Sequence, residues 1–348
     1  MNKPVKDLLT RLAEGQSISK TEYARLLREA GQKERDYAAA LACQIRKAVY
    51  GEDVYIRGLI EVSNICKNDC YYCGIRKSNR SCTRYRLSME EILHCCREGY
   101  QLGFRTFVLQ GGEDGYFTDD YLERLIGAIK EEHPDVAITL SLGERTKESY
   151  IRLFRAGADR YLLRHETANA GHYALLHPPE MSLVHRMQCL TWLREAGFQV
   201  GAGMMVGSPY QSIWDLAEDL TFLSTFRPEM CGIGPFIPHH ATPFANQPPG
   251  SVPMTLFLLS IIRLTLPRVL LPATTALGTL AENGMEQGML AGANVVMPNL
   301  SPIAVRRNYE LYNNKKSTDA QSAQDLEQLR NRMANAGFQV VVDRGDAK

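Results

Sequence analysis

Three closely spaced cysteines are the clearest chemical signal in the chain. Cys66, Cys70 and Cys73 form a C-x3-C-x2-C pattern within residues 63–74, SNICKNDCYYCG. Thiolates are soft ligands, and a group of them indicates zinc or iron–sulfur chemistry. A closed zinc site normally has four ligands, and no fourth cysteine or histidine stands at ligand spacing here. Three thiolates leave one iron of a four-iron cluster open, so the pattern favours one [4Fe–4S] cluster over structural zinc or unrelated thiols.

Alternating apolar and amphipathic segments predict the elements that position these cysteines. The predicted strands are 55–62, 105–109, 136–141, 160–164, 198–205, 230–235, 269–273 and 294–297. The predicted helices between most of them are 88–102, 119–132, 146–156, 182–196, 211–225, 253–265 and 281–290. This alternation implies parallel strands joined by crossovers. It predicts an α/β fold, a (β/α)8 TIM-type barrel, with an open doubly wound sheet as the alternative.

Two smaller segments flank the predicted barrel. Residues 1–50 are predicted to form an N-terminal helical cap of three helices, and residues 51–312 form the barrel. Residues 313–348 are predicted as a C-terminal extension, with a surface helix over 320–337 and a short strand over 338–342. No proline- or glycine-rich linker separates the first helices from the barrel, so they are expected to pack on it.

Polar residues follow several predicted strands, which is where barrel enzymes place their active sites. Glu113 follows two glycines, which let backbone approach a ligand, and its carboxylate could receive an ammonium group. Glu166 could accept hydrogen bonds from ribose hydroxyls, and Arg164 could grip a carboxylate. Thr274 and Thr275 could hold an anion. A plain turn, a surface ion pair and a simple strand end are the structural alternatives for these three features.

Two further residues near the fourth strand end receive different predictions. Arg186, early in the next predicted helix, is a second candidate for gripping a carboxylate. His165 is predicted to be a packed histidine without a chemical role.

The order of these motifs resembles the radical S-adenosylmethionine (SAM) superfamily. The cysteine pattern after the first strand, the aromatic Tyr72 before its last cysteine and the Gly-Gly-Glu element are similar to that family. Over roughly residues 50–312, the runs RYLLRHETAN and PATTA resemble the HydE subfamily of [FeFe]-hydrogenase maturases. Its relatives include biotin synthase and methylornithine synthase. The resemblance implies a barrel that uses one [4Fe–4S] cluster and SAM.

The resemblance also implies a role for each matching position. The implied cluster ligands are Cys66, Cys70 and Cys73. The implied SAM contacts are Tyr72, Gly112, Glu113, Ser141, Glu166, Arg186 and Met205. The implied substrate contacts are Gln110, Arg164, Met230, Thr274, Thr275, Met297, Tyr309 and Tyr312. No catalytic side chain is implied beyond the cluster and SAM.

The chain departs from the subfamily pattern in two places. Some HydE proteins carry extra C-terminal cysteines for a second cluster, whereas this chain has none after Cys231, so one cluster is predicted. The run GSPYQ has Ser208 and Tyr210 where many relatives have leucine and glycine. That change affects a loop at a strand end and leaves the substrate preference open.

The resemblance implies reductive cleavage of SAM to a 5′-deoxyadenosyl radical. The implied substrate is a cysteine-bound iron carbonyl/cyanide complex used in H-cluster assembly. The implied partners are a reductant such as ferredoxin or flavodoxin, and other hydrogenase maturases. A radical mutase acting on an amino acid, similar to methylornithine synthase, is the first alternative. A non-catalytic iron–sulfur or zinc scaffold is the second.

Charge and hydropathy exclude several other classes. The chain has 40 basic and 39 acidic residues, a net charge of +1, which gives no reason to expect nucleic acid or an anionic membrane as partner. The most apolar segment, 252–273, contains Arg263, Arg268 and three prolines, so a membrane span is not expected. The start has no secretory signal pattern and the nine cysteines do not suit a disulfide framework, so a cytoplasmic protein is expected.

Overall fold

Parallel strands line the centre of the molecule. The computed structural model describes residues 1–315 and 326–348. Within those residues the strands are β1 (Asp53–Ile56), β2 (Gly58–Ser63), β3 (Thr106–Gly111), β4 (Ala137–Ser141), β5 (Arg160–Leu162), β6 (Gln199–Ala202), β7 (Met205–Val206), β8 (Met230–Cys231), β9 (Gly234–Pro235), β10 (Val295–Val296) and β11 (Gln339–Val341). Six of them form one parallel sheet in the order β2-β3-β4-β5-β6-β8.

Short backbone bridges close this sheet into a barrel. They link β8 to Leu270, Pro272 to β10, and Asn299 back to β2, all in parallel orientation. The predicted (β/α)8 barrel is therefore confirmed, and the open doubly wound sheet is wrong. The predicted strand over 269–273 is reduced to these isolated bridges, because Pro272 has no N–H to donate to a ladder.

Three predicted strands are each divided in two. The strand predicted over 55–62 breaks at Arg57, because β1 pairs with β10 and β11 whereas β2 belongs to the main sheet. The strands predicted over 198–205 and 230–235 break into β6 and β7 and into β8 and β9. At Gly203, between β6 and β7, an added Cβ would come within 2.0 Å of a neighbouring backbone oxygen. This close crossing of two backbones requires glycine.

Helices cover the outside of the barrel. Within the described residues they are α1 (Lys3–Ala13), α2 (Lys20–Glu29), α3 (Gln32–Tyr50), α4 (Met89–Gln101), α5 (Asp119–Glu132), α6 (Lys147–Arg155), α7 (Ala170–Leu176), α8 (Leu183–Ala196), α9 (Ile213–Phe226), α10 (Val252–Thr265), α11 (Thr275–Leu280), α12 (Gly284–Leu290), α13 (Ile303–Arg306) and α14 (Leu326–Asn335). The predicted N-terminal cap, α1 to α3, packs against α9, α10 and α12. It therefore lies against the outer helices of the barrel.

The helix predictions differ from the structure mainly in short elements. Helix α7 is not among the predicted helices, because seven residues are too few for a clear 3.6-residue period. The helix predicted over 320–337 is represented by α14, and its first residues, 320–325, lie outside the described residues. In the part of the chain that the structure describes, no helix combines the length and the hydropathy needed to span a membrane.

Residues 343–346, here called the floor segment, close the N-terminal ends of the barrel strands. The segment follows β11, which pairs in parallel with β1. The Thr106 hydroxyl donates to the Arg344 carbonyl at 2.7 Å. The fully buried Arg160 guanidinium donates to the same carbonyl and to the Asp346 carboxylate. Since Thr106 and Arg160 each begin a strand, the floor segment seals one end of the barrel, and the strand C-termini face the other end.

Candidate active site

A single cavity brings together all residues predicted to act. It has a volume of about 350 Å³ and lies between the C-terminal strand ends and the loops that follow them. The predicted residues that line it are Cys66, Cys70, Tyr72, Cys73, Gln110, Gly112, Glu113, Ser141, Arg164, Glu166, Arg186, Met205, Met230, Thr274, Thr275, Met297, Tyr309 and Tyr312. Their convergence is observed, whereas the role of each remains a prediction.

The loop that carries the three cysteines follows β2 and is fixed by side chain hydrogen bonds. The Asn64 side chain donates to the carbonyls of Thr83 and Asn308, at 2.8 and 2.7 Å. The Asp69 carboxylate accepts two hydrogen bonds from the Arg76 guanidinium, at 2.8 and 2.7 Å. These contacts hold the loop with its three thiols on the cavity wall.

The three thiols are free of disulfide bonds and half-buried on the cavity wall. Burial raises the pKa of Cys66, raises the pKa of Cys70 to about 12, and raises the pKa of Cys73 well above its usual value. A buried thiolate needs compensating positive charge, which a bound metal group supplies. In the described residues, no three His, Cys, Asp or Glu side chains surround a position for one metal ion.

The end of β3 packs directly on the cysteine loop. A Cβ on Gly112 would come within 2.3 Å of the Ile65 carbonyl oxygen and 2.8 Å of the Cys66 Cβ, so only glycine permits this approach. The next residue, Glu113, has a carboxylate that is 9% exposed and lies 3.1 Å from the Lys67 ammonium. An acceptor for a cationic group therefore stands beside the thiols.

Glu166 is held in a strained backbone conformation with its carboxylate toward the cavity. Its φ of +66° is uncommon for a residue with a side chain. Backbone hydrogen bonds to Gly203 and Met205 maintain it. The Glu166 carboxylate lies 3.0 Å from Arg164 Nη2, but neither atom has a hydrogen bond of normal geometry within the described residues. Both groups keep hydrogen-bonding capacity for a ligand, and strain of this kind is common at functional sites.

His165 packs behind this pair, as predicted. It is fully buried, accepts from the Gly203 N–H at 3.3 Å and lies 3.2 Å from the Asp219 carboxylate. Asp219 also accepts from the Ala168 N–H at 2.5 Å. The buried His165–Asp219 pair therefore fixes the loop that carries Glu166.

Arg186 reaches the cavity from α8 and forms a buried ion pair with Glu144. The Arg186 Nε lies 2.8 Å from the Glu144 carboxylate, and their side chains are 10% and 16% exposed. Burial by itself would lower the pKa of Arg186, but Glu144 raises it above its usual value. Burial raises the pKa of Glu144, and Arg186 opposes that rise. Each side chain therefore favours the charged form of the other.

The end of the cavity at β9 and α11 carries hydroxyl and amide groups. The Thr274 hydroxyl is buried and has no hydrogen-bond partner within the described residues. It faces Gly234, where an added Cβ would come within 2.8 Å of the hydroxyl oxygen. Thr275 begins α11 beside it, and the Gln110 amide donates to the buried Tyr309 hydroxyl at 3.4 Å. This end is therefore suited to a small polar ligand.

Three charged residues of the cavity wall are missing from the sequence prediction: Arg57, Glu61 and Lys315. Lys315 forms an ion pair with Glu61, whose carboxylate also accepts from the Asn299 amide at 2.9 Å. Burial lowers the pKa of Arg57 well below its usual value. A charged residue within an apolar strand run was an available signal for Arg57 and Glu61, whereas no pattern marks Lys315.

The loop with the three thiols follows β2 and packs on a Gly-Gly-Glu element at the mouth of a parallel barrel. This arrangement defines a class of protein. The profile described as Radical SAM superfamily matches residues 60–223, from β2 into α9. Fold and site together make this a radical SAM enzyme.

The similarity extends to a particular family. The chain is 46% identical over 275 residues to the [FeFe] hydrogenase maturase subunit HydE of Thermotoga maritima, over 79% of this chain and 78% of that protein. It is 27% identical to the 3-methylornithine synthase of Methanosarcina acetivorans, over 90% of this chain and 89% of that protein. The chain belongs to the HydE family of radical SAM enzymes.

A solved structure shares the fold. The crystal structure of methylornithine synthase (PylB) superposes with a TM-score of 0.82, covering 96% of this chain and 97% of that chain. At a sequence identity of 24%, this comparison shows a shared fold alone.

Proposed function

We propose that this protein cleaves SAM and uses the resulting 5′-deoxyadenosyl radical in assembly of the [FeFe]-hydrogenase H-cluster. Its substrate is a cysteine-bound iron carbonyl/cyanide complex. The observation that carries the proposal is the 46% identity to a HydE protein, joined to a cavity lined by every matching residue.

The three thiols suit one [4Fe–4S] cluster. They come from one loop and line one cavity, and the N–H of Glu113 points to the Cys66 sulfur at 3.3 Å. Such amide contacts to ligand sulfurs tune the potential of iron–sulfur clusters. Gly112 leaves no side chain between β3 and the loop. When bound, the cluster supplies the electron that breaks a carbon–sulfur bond of SAM.

Four polar residues are proposed to hold SAM. Glu113 receives the methionine ammonium, because its buried Oε2 lies 3.1 Å from the Lys67 ammonium and has no hydrogen-bond partner within the described residues. Arg186 and Ser141 bind the methionine carboxylate. Glu166 accepts from the ribose hydroxyls, for which its unused carboxylate oxygen is suited.

Tyr72 and Met205 are proposed to contact the adenine. The Tyr72 hydroxyl is fixed by His177 Nε2 at 3.1 Å, and its ring lies edge-on to the ring of His177. Met205 is 7% exposed and belongs to the same apolar group as Phe236. A fixed aromatic ring and a thioether form a flat apolar wall suited to a purine.

The other end of the cavity is proposed to bind the second substrate. Thr274, Thr275 and Arg164 hold its carboxylate and cyanide groups, because the Thr274 hydroxyl and the Arg164 Nε lack hydrogen-bond partners within the described residues. The remaining residues of this end are Gln110, Met230, Met297, Tyr309 and Tyr312. The floor segment closes the barrel below them, which limits access of water to a reactive radical.

The test is product analysis after anaerobic reconstitution with iron and sulfide. Dithionite and SAM alone should give slow formation of 5′-deoxyadenosine. Addition of a synthetic iron–cysteine carbonyl/cyanide complex should give a substrate-dependent adenosyl–sulfur product. Cys70→Ser, treated identically, is the control for cluster-independent chemistry. Absence of 5′-deoxyadenosine in both arms would refute the proposal.

A second candidate is a radical mutase acting on an amino acid. It is favoured by the 30% identity to the 3-methylornithine synthase of Methanosarcina barkeri, over 77% of this chain and 75% of that protein. The same reconstituted protein incubated with free amino acids distinguishes the two. Formation of 3-methylornithine, in place of the adenosyl–sulfur product, would favour the mutase.

The proposed reductant is a ferredoxin or flavodoxin, and other hydrogenase maturases are proposed partners. A cytoplasmic location remains part of this proposal. Co-purification with the other maturases from an anaerobically grown host tests the second point.

A further inference from the structure

Tyr210 is an exposed aromatic residue in an unfavourable backbone conformation. It follows β7, its side chain is 64% exposed, and its φ is +67°. A left-handed φ of this kind destabilises the folded state when the residue has a Cβ, whereas glycine adopts it without strain. Burial of the ring does not offset the strain. A strained, exposed tyrosine therefore indicates a role in binding another molecule.

Tyr210 is the outer part of an apolar patch that adjoins the cysteine loop. Its ring and the ring of Tyr71 each contact the edge of Phe244, with centroids 6.2 Å apart in both cases. The Tyr71 N–H donates to the carbonyl of Leu176 at 3.0 Å, and the neighbouring Leu175 is 49% exposed. We call Tyr71, Leu175, Tyr210 and Phe244 the rim patch.

The rim patch is continuous with the interior near the thiols. Phe244 belongs to a buried apolar group with Met205 and Phe236, and Tyr71 and Tyr72 pack against that group. Tyr71 directly follows Cys70 in the chain. A partner on the patch would therefore lie over the loop that holds the thiols, close to the proposed cluster.

Basic side chains accompany the patch. The Arg76 guanidinium lies 5.6 Å from the centre of the Tyr71 ring. Lys77 and Arg80, which follow Arg76 in the chain, are exposed, and neither side chain has an ion-pair partner among residues 1–315 and 326–348. Free cations beside an apolar patch favour a partner with an acidic surface.

We propose that the rim patch, with Lys77 and Arg80, is the docking surface for an acidic one-electron donor protein of the flavodoxin or ferredoxin class. The proposal rests on the proposed function, since SAM cleavage requires one electron per turnover. The donor is oxidised by one electron and the cluster is reduced by one, with no bond made or broken at the patch. Tyrosine is enriched among the residues that contribute most of the binding free energy at interfaces. Binding of a partner would therefore give a reason to keep a tyrosine at this strained position.

Tyr210→Gly is the decisive variant, because it removes the ring and relieves the backbone strain together. Its melting temperature should equal or exceed that of the parent. Its affinity for oxidised flavodoxin, titrated by flavin fluorescence with the reconstituted protein, should fall about tenfold or more. In the reconstituted enzyme, the KM for reduced flavodoxin should rise similarly. SAM cleavage driven by dithionite should be unchanged, because the small reductant needs no docking surface.

Leu290→Ala is the matched control. Leu290 is 47% exposed on α12, which packs against α3 and α10, and its truncation should leave flavodoxin affinity unchanged. The double variant Lys77→Glu with Arg80→Glu should weaken flavodoxin binding at low salt, with the difference shrinking as salt is raised.

Two results would overturn the proposal. The first is that Tyr210→Gly binds flavodoxin as tightly as the parent does. The second is that the variant loses dithionite-driven SAM cleavage as much as flavodoxin-driven SAM cleavage. Absence of dithionite-driven cleavage in the parent would instead refute the proposed function. The binding titration remains interpretable in that case, so the two failures are distinguishable.

Discussion

The buried pair of Arg186 and Glu144 offers a quantitative test of the site. Arg186→Met fills a similar volume but leaves the Glu144 carboxylate without the cation 2.8 Å away. Removing one partner of a buried ion pair costs about 3–5 kcal/mol of unfolding free energy. We expect the lower end, about 3 kcal/mol, because the Glu144 side chain retains 16% exposure and His185 lies 3.7 Å from it.

The double variant Arg186→Met with Glu144→Gln separates the pair from its parts. A neutral amide removes the uncompensated charge, so most of the lost stability should return, with a coupling free energy of about 2 kcal/mol. Urea unfolding of the cluster-free protein at pH 7, with Glu144→Gln alone as the fourth corner, measures this. A double variant as unstable as Arg186→Met would refute the reasoning, as would an Arg186→Met protein as stable as the parent.

The pH dependence gives an independent check. Burial already raises the pKa of Glu144, and loss of Arg186 removes the group that opposes the rise. Folded Arg186→Met then binds a proton that the unfolded chain releases, so its stability should increase as the pH is lowered from 7 toward 5. If its deficit relative to the parent is the same at both pH values, Glu144 is not the group left uncompensated.

The same variants reveal whether Arg186 also serves SAM. If it grips the methionine carboxylate, the double variant should recover stability but still bind SAM about tenfold to a hundredfold more weakly. Calorimetric titration of SAM into the reconstituted proteins measures this. Parent affinity in the double variant would mean that Arg186 acts only as the partner of Glu144.

Three further predictions concern the cluster and the second substrate. Serine at any of the three proposed ligand cysteines should abolish iron binding, whereas Cys231→Ser should keep it. Iron content measured for each variant tests this, and full iron content in a ligand variant would contradict the assignment. Gly112→Ala should lower iron content and SAM binding because its Cβ would clash with Ile65, while Gly115→Ala, which has open space, should match the parent. Thr274→Val with Thr275→Val should keep SAM cleavage and melting temperature but lower substrate-dependent product formation about tenfold, since one buried hydroxyl has no partner within the described residues; product formation at the parent rate would show that the threonines only end a strand.

The sequence predicted the barrel because its helices and strands alternate with clear periods. It predicted the site because the polar residues after Leu109, Leu140 and Leu163 interrupt apolar runs at strand ends. The structure brings all of these residues to one cavity. The strand boundaries were less predictable, since Gly203 and Pro272 alter backbone pairing through contacts with distant segments.

Contacts between residues far apart in sequence account for what the prediction missed. Lys315 forms an ion pair with Glu61, and no local pattern connects a lysine after β10 with an acid in β2. Arg57 breaks a predicted strand, lines the cavity and donates to the Gly345 carbonyl of the floor segment, and no local pattern predicts that last contact. Tyr210 could be noted as unusual, but its φ and its exposure came from the structure.

The floor segment has a consequence for the order in which the chain folds. Asp53 in β1 pairs with Gln339 in β11, a contact that cannot form until residue 339 has been synthesised. Until Asp346 leaves the ribosome, the Arg160 guanidinium lacks its carboxylate partner, and the bottom of the barrel stays open to water. Contacts of such long sequence separation slow folding. Nascent chains stalled before β11 should therefore remain protease-sensitive in β1, although the middle strands are already formed, and early protection of β1 would contradict this order of assembly.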